Sequence, residues 1–428
     1  MVKTKIGLFQ YLSLFLFLLM MVFPNMLNPI KALILFVMFM LSMSSKTPIH
    51  HGVKNFYTFY FIFGIYQILL GILLQNEKPF DWFTVTLLWP FFYMCFVPLY
   101  NSVSVWDRII KVLILGHTII VSYDLMFCFG IILGYDIPNI YASIMQEQTA
   151  FTFYEGLSSR LNFVNLNTIT FTAPVIFVLW ISNYFNGRMK IITTVLIIAT
   201  FILFIISGRR SLMAIFVLCP FLILIFKNYF SNANIKALKK TLVVFLSILA
   251  VSLVYFSIFD PDLFAGYIET FTKAFDNDVE PIKFAQEKAL LKAFYESPIF
   301  GHGAGARFFE ASPGRGVWSS VFELQYHLVL ARTGIIGFLI WGYAIFGLLL
   351  YSLKIVKKTK DIVLISLLYG YGFMLLANAT NPVFCCFDFM LSYLLVTARL
   401  NYLIRRGTEQ NKINFSYGKQ PIPYNCIL

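Results

Sequence analysis

Charge is scarce in this sequence. Asp, Glu, Lys and Arg make up 12% of its 428 residues, against about 25% in a soluble domain. A water-soluble fold could not cover the apolar remainder, and so apolar a chain does not stay disordered. A soluble globular enzyme and a disordered protein are both excluded. Histidine is also scarce: the five are His50, His51, His117, His302 and His327, and none falls in an HExxH spacing. The six cysteines (Cys95, Cys128, Cys219, Cys385, Cys386 and Cys426) show no CxxC or Cys/His ligand spacing, and three lie inside apolar runs. They read as free thiols, and neither a metal nor another cofactor is expected. What abounds is apolar. Hydrophobic residues make up 59%, Phe alone counts 48, and mean hydropathy is +0.78. These values describe a polytopic membrane protein. The net charge of +13 would suggest nucleic acid in a soluble protein. Here it is explained by basic loops that fix orientation, and no nucleic-acid partner is expected.

A spanning helix needs about 20 mostly apolar residues. Twelve such runs occur, near 7–24, 28–44, 56–75, 83–100, 109–134, 163–183, 190–207, 212–229, 241–259, 334–353, 362–379 and 386–403. The first follows Lys3 and Lys5 and lacks a small-x-small cleavage site, so a retained signal anchor is expected. With the N-terminus in the cytoplasm, alternation puts 21 of the 33 basic residues on the cytoplasmic side, with only Asp107, Asp361 and Glu409 of the 20 acidic ones. That asymmetry predicts an all-α protein of about 12 transmembrane helices with both termini cytoplasmic. The expected organisation is 1–259 (spans one to nine, with an outer loop at 135–162), a large periplasmic loop at 260–333, spans ten to twelve at 334–403, and a polar, mobile cytoplasmic tail at 404–428. Within the large loop, Phe264, Tyr267, Ile268, Phe271 and Phe275 recur at helical spacing. Ala289, Leu290, Ala293 and Phe294 suggest a second helix ending before Pro298. Either stripe fits lipid contact or packing onto the bundle.

The outer segments hold the unusual polar residues. Ser207-Gly208-Arg209-Arg210-Ser211 joins two spans. Paired arginines there are costly at membrane depth unless they meet anions, water or lipid headgroups. Arg160 precedes a helix mouth bearing Asn162, Asn165 and Asn167, which could bind a sugar or another helix. The most specific stretch is Pro298-Ile299-Phe300-Gly301-His302-Gly303-Ala304-Gly305-Ala306-Arg307. A dinucleotide fold is rejected because no strand precedes these glycines, although amides in such a turn can hold an anion. Glu323, Tyr326, His327 and Leu330 share one face of the helix expected next, with Glu323 and His327 four residues apart. Asp124, inside span five, is read as a helix-to-helix hydrogen bond, to Tyr123 or His117.

These residues resemble the O-antigen ligase and polymerase superfamily. The resemblance lies in the Pro298 to Gly305 turn and in the leucine-rich stretch from Leu324 that closes on Gly334-Ile335-Ile336-Gly337. The arginine turn and the late large loop agree with that family's layout. The resemblance implies a fold like the membrane-embedded, lipid-donor (GT-C-like) glycosyltransferases, acting without metal at the periplasmic face of the bacterial inner membrane. It implies a donor glycan on undecaprenyl pyrophosphate. The acceptor would be another lipid-linked repeat unit for a polymerase, or lipid A-core for a ligase. A polysaccharide chain-length regulator is an implied partner. Many members, ligases especially, carry His eleven residues before the first glycine of Gly-Ile-Ile-Gly. Glu323 stands there in this chain, which favours a Wzy-type repeat-unit polymerase.

On that resemblance, Arg209, Arg210, Arg307, Arg160 and Arg332 are the candidates to stabilise the pyrophosphate leaving group. Glu323 or His327 would take the proton of the attacking hydroxyl, giving inversion in one displacement. Gly301, Gly303 and Gly305 would shape the loop over the pyrophosphate. A ligase is the nearest alternative. A lipid-linked oligosaccharide flippase or another transporter is the alternative from a different class. The gathering of polar residues at the outer mouth, and the lack of six-plus-six similarity, weigh against transport.

Overall fold

The structure is a computed structural model. It describes residues 2–43, 48–135, 137–141, 151–153, 159–161, 163–207, 210–230, 281–312, 315–320 and 322–416, with single positions at 239, 243, 247, 254, 258 and 265. The elements are α1 (Val2–Val22), α2 (Asn28–Ser42), α3 (His51–Leu73), a π-helical turn (Thr84–Leu88), α4 (Trp89–Phe96), α5 (Val103–Ile132), β1 (Phe151–Phe153), β2 (Ser159–Leu161), α6 (Leu166–Ile181), α7 (Gly187–Ser207), α8 (Arg210–Ile225), α9 (Pro281–Glu296), β3 (Phe308–Ser312), β4 (Arg315–Ser319), α10 (Gln325–Thr359), α11 (Ile362–Ala377) and α12 (Leu391–Ser416). The architecture is that of an all-helical membrane protein with two small antiparallel hairpins. The hairpins are not apparent from hydropathy, although the Pro313-Gly314 pair between β3 and β4 is a turn-type dipeptide in sequence.

Eleven of the twelve expected apolar runs coincide with helical segments. The ninth run, 241–259, and the stripe from Phe264 to Phe275 lie almost wholly outside the described residues. Among the described residues four helices are long and apolar enough to cross a membrane: His51–Leu73, Val103–Ile131, Gly187–Phe204 and Gln325–Thr359. Others, such as Asn28–Ser42 and Leu166–Ile181, are apolar but of 15 and 16 residues. At about 1.5 Å per residue they fall short of a hydrocarbon core of about 30 Å.

Local signals start the helices where expected. The Ser102 side chain accepts from the Val105 amide at 3.4 Å, and Asp361 accepts from the Leu364 amide at 2.8 Å, both N-caps. Two ends differ from the hydropathy reading. α10 begins at Gln325, ahead of the expected span start at 334, and bends at Gly334 (φ 58°, ψ −167°). α12 runs on through the expected tail to Ser416, because Arg, Glu, Gln and Lys are strong helix formers even without an apolar face.

α3 pairs with α10, α6 with α11, and α1 with both α2 and α5. Polar clasps join one end of the bundle. Arg399 meets Asp361 at 2.6 Å, Tyr184 donates to Asp107 at 3.0 Å, and the His50 amide donates to Asn401 at 2.8 Å. The opposite end of α3 carries a small separate core. It is formed by Leu290 and Ala293 of α9, Phe308 of β3, Phe322, Leu324, Leu328 and Ala331, with Trp82 packed against it. The α9 stripe is therefore packing surface. This cap positions the candidate site.

Candidate functional site

The site begins with a turn that only glycine can make. Gly301, Gly303 and Gly305 have φ of 77°, 78° and 78°, a region closed to most side chains. Space is as restrictive as torsion. A Cβ on Gly303 would lie 2.4 Å from the Gly71 nitrogen in α3, and one on Gly334 would lie 2.3 Å from the Ile299 oxygen. The turn is thus docked backbone to backbone, on the end of α3 on one side and on the bend of α10 on the other. The Ala304 amide donates to the Gln67 carbonyl at 2.8 Å, the Gly303 amide to the Arg332 carbonyl at 2.7 Å, the His302 amide to Ala331 at 3.2 Å and the Gly301 amide to Ser297 at 2.9 Å. The Ile335 amide donates to Pro298 at 2.9 Å. Asn76 locks the turn by donating to the carbonyls of His302 and Ala304, both at 2.8 Å. The anion cradle considered for this turn is corrected accordingly. Four of its amides are engaged within the protein, so the glycines shape the loop by close packing. His302 serves the same packing, with its Nε2 2.8 Å from the Ala293 carbonyl.

Two of the expected site residues, Arg307 and Arg332, adjoin this turn, and Glu323 lies against α9; each has a distinct environment. Arg307 is half exposed and pairs with Glu77 at 3.1 Å. Arg332 is buried; its guanidinium lies over the Trp82 ring at 4.6 Å and donates to the Ser320 carbonyl. Glu323 is 49% exposed, 3.8 Å from Lys283 of α9, and its amide donates to Gln286 at 2.9 Å. The shared face expected for Glu323 and His327 is corrected here. Helix α10 starts only at Gln325, so Glu323 lies in the preceding segment and turns toward α9. His327 is part-buried in the first turns of α10, with its Nδ1 enclosed and without a hydrogen-bond partner.

Two further candidates are placed by backbone alone. Arg160 lies in β2 opposite Thr152, and Arg210 opens α8. Arg209 and Asn162 lie outside the described residues. Asn165 is fully buried at the start of α6 and bridges Asp124 (2.9 Å) and the Tyr141 hydroxyl (2.7 Å). Asp124 is therefore a helix-to-helix contact as expected, but with Asn165 in place of Tyr123 or His117. His117 instead bridges Thr172 and Thr200, at 2.7 and 2.8 Å.

Beneath the glycine turn lies a small, partly open cavity, walled by Phe63 and Gln67 of α3, Trp82, Val85 and Thr86 around the π-helical turn, Gln325, Leu328, Arg332 and Trp341 of α10, and Phe384. It has room for about one water. Gln67 is 2% exposed, and its Nε2 has no hydrogen-bond partner. π-helical turns recur at functional sites. Glutamine in an apolar helix stripe carries no sequence signal of this kind, and the reading missed it.

It also missed an ion pair inside the bundle. Lys31 and Asp388 meet at 2.6 Å with both side chains 1% exposed. Lys31 also donates to the Phe23 carbonyl at 2.7 Å, and Asp388 accepts the Asn25 amide at 2.8 Å. The pair sits beside the α1–α2 turn, which the expected topology places on the outer side. A Lys three residues into an apolar helix was legible as unusual, but its partner 357 residues away was not. Among the described residues no three His, Cys, Asp or Glu side chains converge as a metal site would require.

No family profile matches the chain, and no curated protein matches it.

Proposed function

We propose that this protein is a metal-independent glycosyltransferase of the bacterial inner membrane, polymerising repeat units carried on undecaprenyl pyrophosphate at the periplasmic face. One observation carries the reading. The two halves of the resemblance, Pro298 to Gly305 and Gly334 to Gly337, are about thirty residues apart in sequence yet lock together through the Ile335–Pro298 hydrogen bond and the Gly334–Ile299 contact. Their contact supports reading the two motifs as parts of one site. Arg307, next to the first motif, and Glu323, on the neighbouring cap against α9, stand exposed, where a soluble glycan on a membrane-anchored carrier could reach. In this mechanism Glu323 takes the proton of the acceptor hydroxyl, and the C1–O bond to pyrophosphate breaks as the new glycosidic bond forms. Guanidinium groups, Arg209 and Arg210 first among them, hold the departing charge.

Deletion of the gene in its host, with complementation by wild type, Arg210→Ala or Glu323→Gln, tests this. The polymerase reading expects surface polysaccharide that collapses to single repeat units and is restored by wild type alone. Loss of all glycan from lipid A-core, with polymer kept on the carrier, identifies a ligase instead. An unchanged ladder overturns the O-antigen assignment.

A second reading, transport of a lipid-linked oligosaccharide, is favoured by Lys31–Asp388. Buried ionisable pairs beside interrupted helices are typical of transport sites, and the chain entering α12 is broken into short 3₁₀ segments at Val383–Cys385 and Phe387–Met390. A lectin applied to intact spheroplasts separates the two. Deleting a polymerase leaves single repeat units exposed outside, whereas deleting a flippase leaves none.

A further inference from the structure

We infer that the cavity beneath the glycine turn is a specificity pocket for one exocyclic hydroxyl of the transferred sugar, with Gln67 as its hydrogen-bond donor. The inference rests on the glycosyltransferase reading and adds the group that the site selects.

Gln67 sets the chemistry. A buried carboxamide that donates to nothing is costly, and an apolar residue of similar size would be cheaper unless an acceptor arrives. The side chain lines the cavity, while the backbone carbonyl of the same residue accepts the Ala304 amide. The glycine turn is thus seated directly above the donor. Size narrows the class of ligand. Room for about one water excludes a phosphate or a carboxylate, and it excludes a whole pyranose ring. The hydroxymethyl group of a hexopyranose projects farthest from its ring. Its hydroxyl oxygen can enter toward Gln67 while its methylene stays at the mouth of the cavity. Trp82, with Arg332 stacked on it at 4.6 Å, gives the cavity an aromatic wall.

A pocket built around an unpaired donor rejects an analogue lacking the hydroxyl far more strongly than an apolar pocket rejects an extra one. The test uses the full-length protein in detergent, with Trp82 and Trp341 as fluorescence reporters at the cavity. D-galactose is titrated against 6-deoxy-D-galactose, D-glucose against 6-deoxy-D-glucose, and D-mannose against 6-deoxy-D-mannose. In at least one pair, wild type should bind the hydroxylated sugar roughly tenfold or more tightly. Gln67→Leu should erase that preference while the deoxy sugar still binds. Val85→Phe fills the cavity without removing a polar group and should erase it too, which guards against misfolding of the first variant. Equal binding within every pair, binding of none of the sugars, or a preference that survives Gln67→Leu overturns the pocket. The polysaccharide ladder reports separately on the underlying function. A polymerase ladder with no sugar preference sinks only the pocket, and a preference with an unchanged ladder sinks only the polymerase reading.

Discussion

Two ion pairs in this protein share their chemistry and little else. Lys31–Asp388 joins the α1–α2 hairpin to the start of α12 at 2.6 Å, with both groups 1% exposed. Arg307–Glu77 lies on the cap at 3.1 Å, with side chains 50% and 70% exposed. The buried pair closes a structural problem. α1 ends inside the bundle, where water cannot satisfy its last carbonyls. Thr168 donates to Met21, Tyr141 to Val22 and Lys31 to Phe23, so these three carbonyls find donors from elsewhere. The positive charge of Lys31 suits a helix C-terminus, and Asp388 neutralises it while holding the Asn25 amide. Asn25 and Leu27 both have positive φ, 61° and 55°, so the carboxylate also secures a strained turn. The exposed pair closes nothing comparable. Burial, more than distance, decides what an ion pair is worth.

Breaking the buried pair should produce the largest effect. Lys31→Met or Asp388→Asn alone leaves an uncompensated group in the bundle, at a cost of about 3–5 kcal/mol. The combined Lys31→Met and Asp388→Leu variant should recover a large part of that loss. Thermal unfolding in detergent reads both. Equal melting temperatures for the single variants and wild type would mean that the pair is hydrated in solution.

The cap should respond next. Gly303→Ala places a methyl against the α3 backbone at a positive φ, which costs about 1–3 kcal/mol from torsion before any clash. The expected sign is faster limited proteolysis between α9 and α10, with the bundle intact. Arg332→Lys keeps the charge and loses the planar stack on Trp82, worth about 0.5–2 kcal/mol. A shift in tryptophan emission with a small fall in stability is the expected readout, and unchanged emission would refute the stacking. At the surface, Arg307→Ala or Glu77→Gln should change stability by about 0–1 kcal/mol. A melting temperature that falls as far as that of the Lys31 variants would mean that burial does not set the two pairs apart.

Much of the helical layout was legible in advance. Runs of Phe, Leu and Ile of spanning length have one stable outcome in lipid, and eleven of the twelve runs are helical where expected. The α9 stripe was legible from Ala289, Leu290, Ala293 and Phe294 together with Pro298. Span length was less legible, because hydropathy does not register that an apolar run such as Leu166–Ile181 stops at 16 residues. The candidate site divided in the same way. Gly301, Gly303 and Gly305 stood out because glycine at fixed spacing marks unusual backbone. Glu323 stood out as a charge, yet its partner Lys283 did not, since the helix start that turns it away depends on how α9 packs. Gln67 did not stand out at all.

Composition pointed to a membrane protein, because so little charge and so much apolar surface fit no soluble fold, and the long apolar runs pointed to helices. Hydropathy and glycine spacing determined most helix positions and marked the turn at 301–305. Tertiary structure alone decided which distant groups meet: Lys31 with Asp388, Asn165 with Asp124, Gly303 with Gly71, and Gln67 with Trp82 and Arg332 in one cavity lining. The physical reason is that periodicity reports only the environment a residue prefers. A buried polar group takes its meaning from the single partner that the packed bundle brings within about 3 Å.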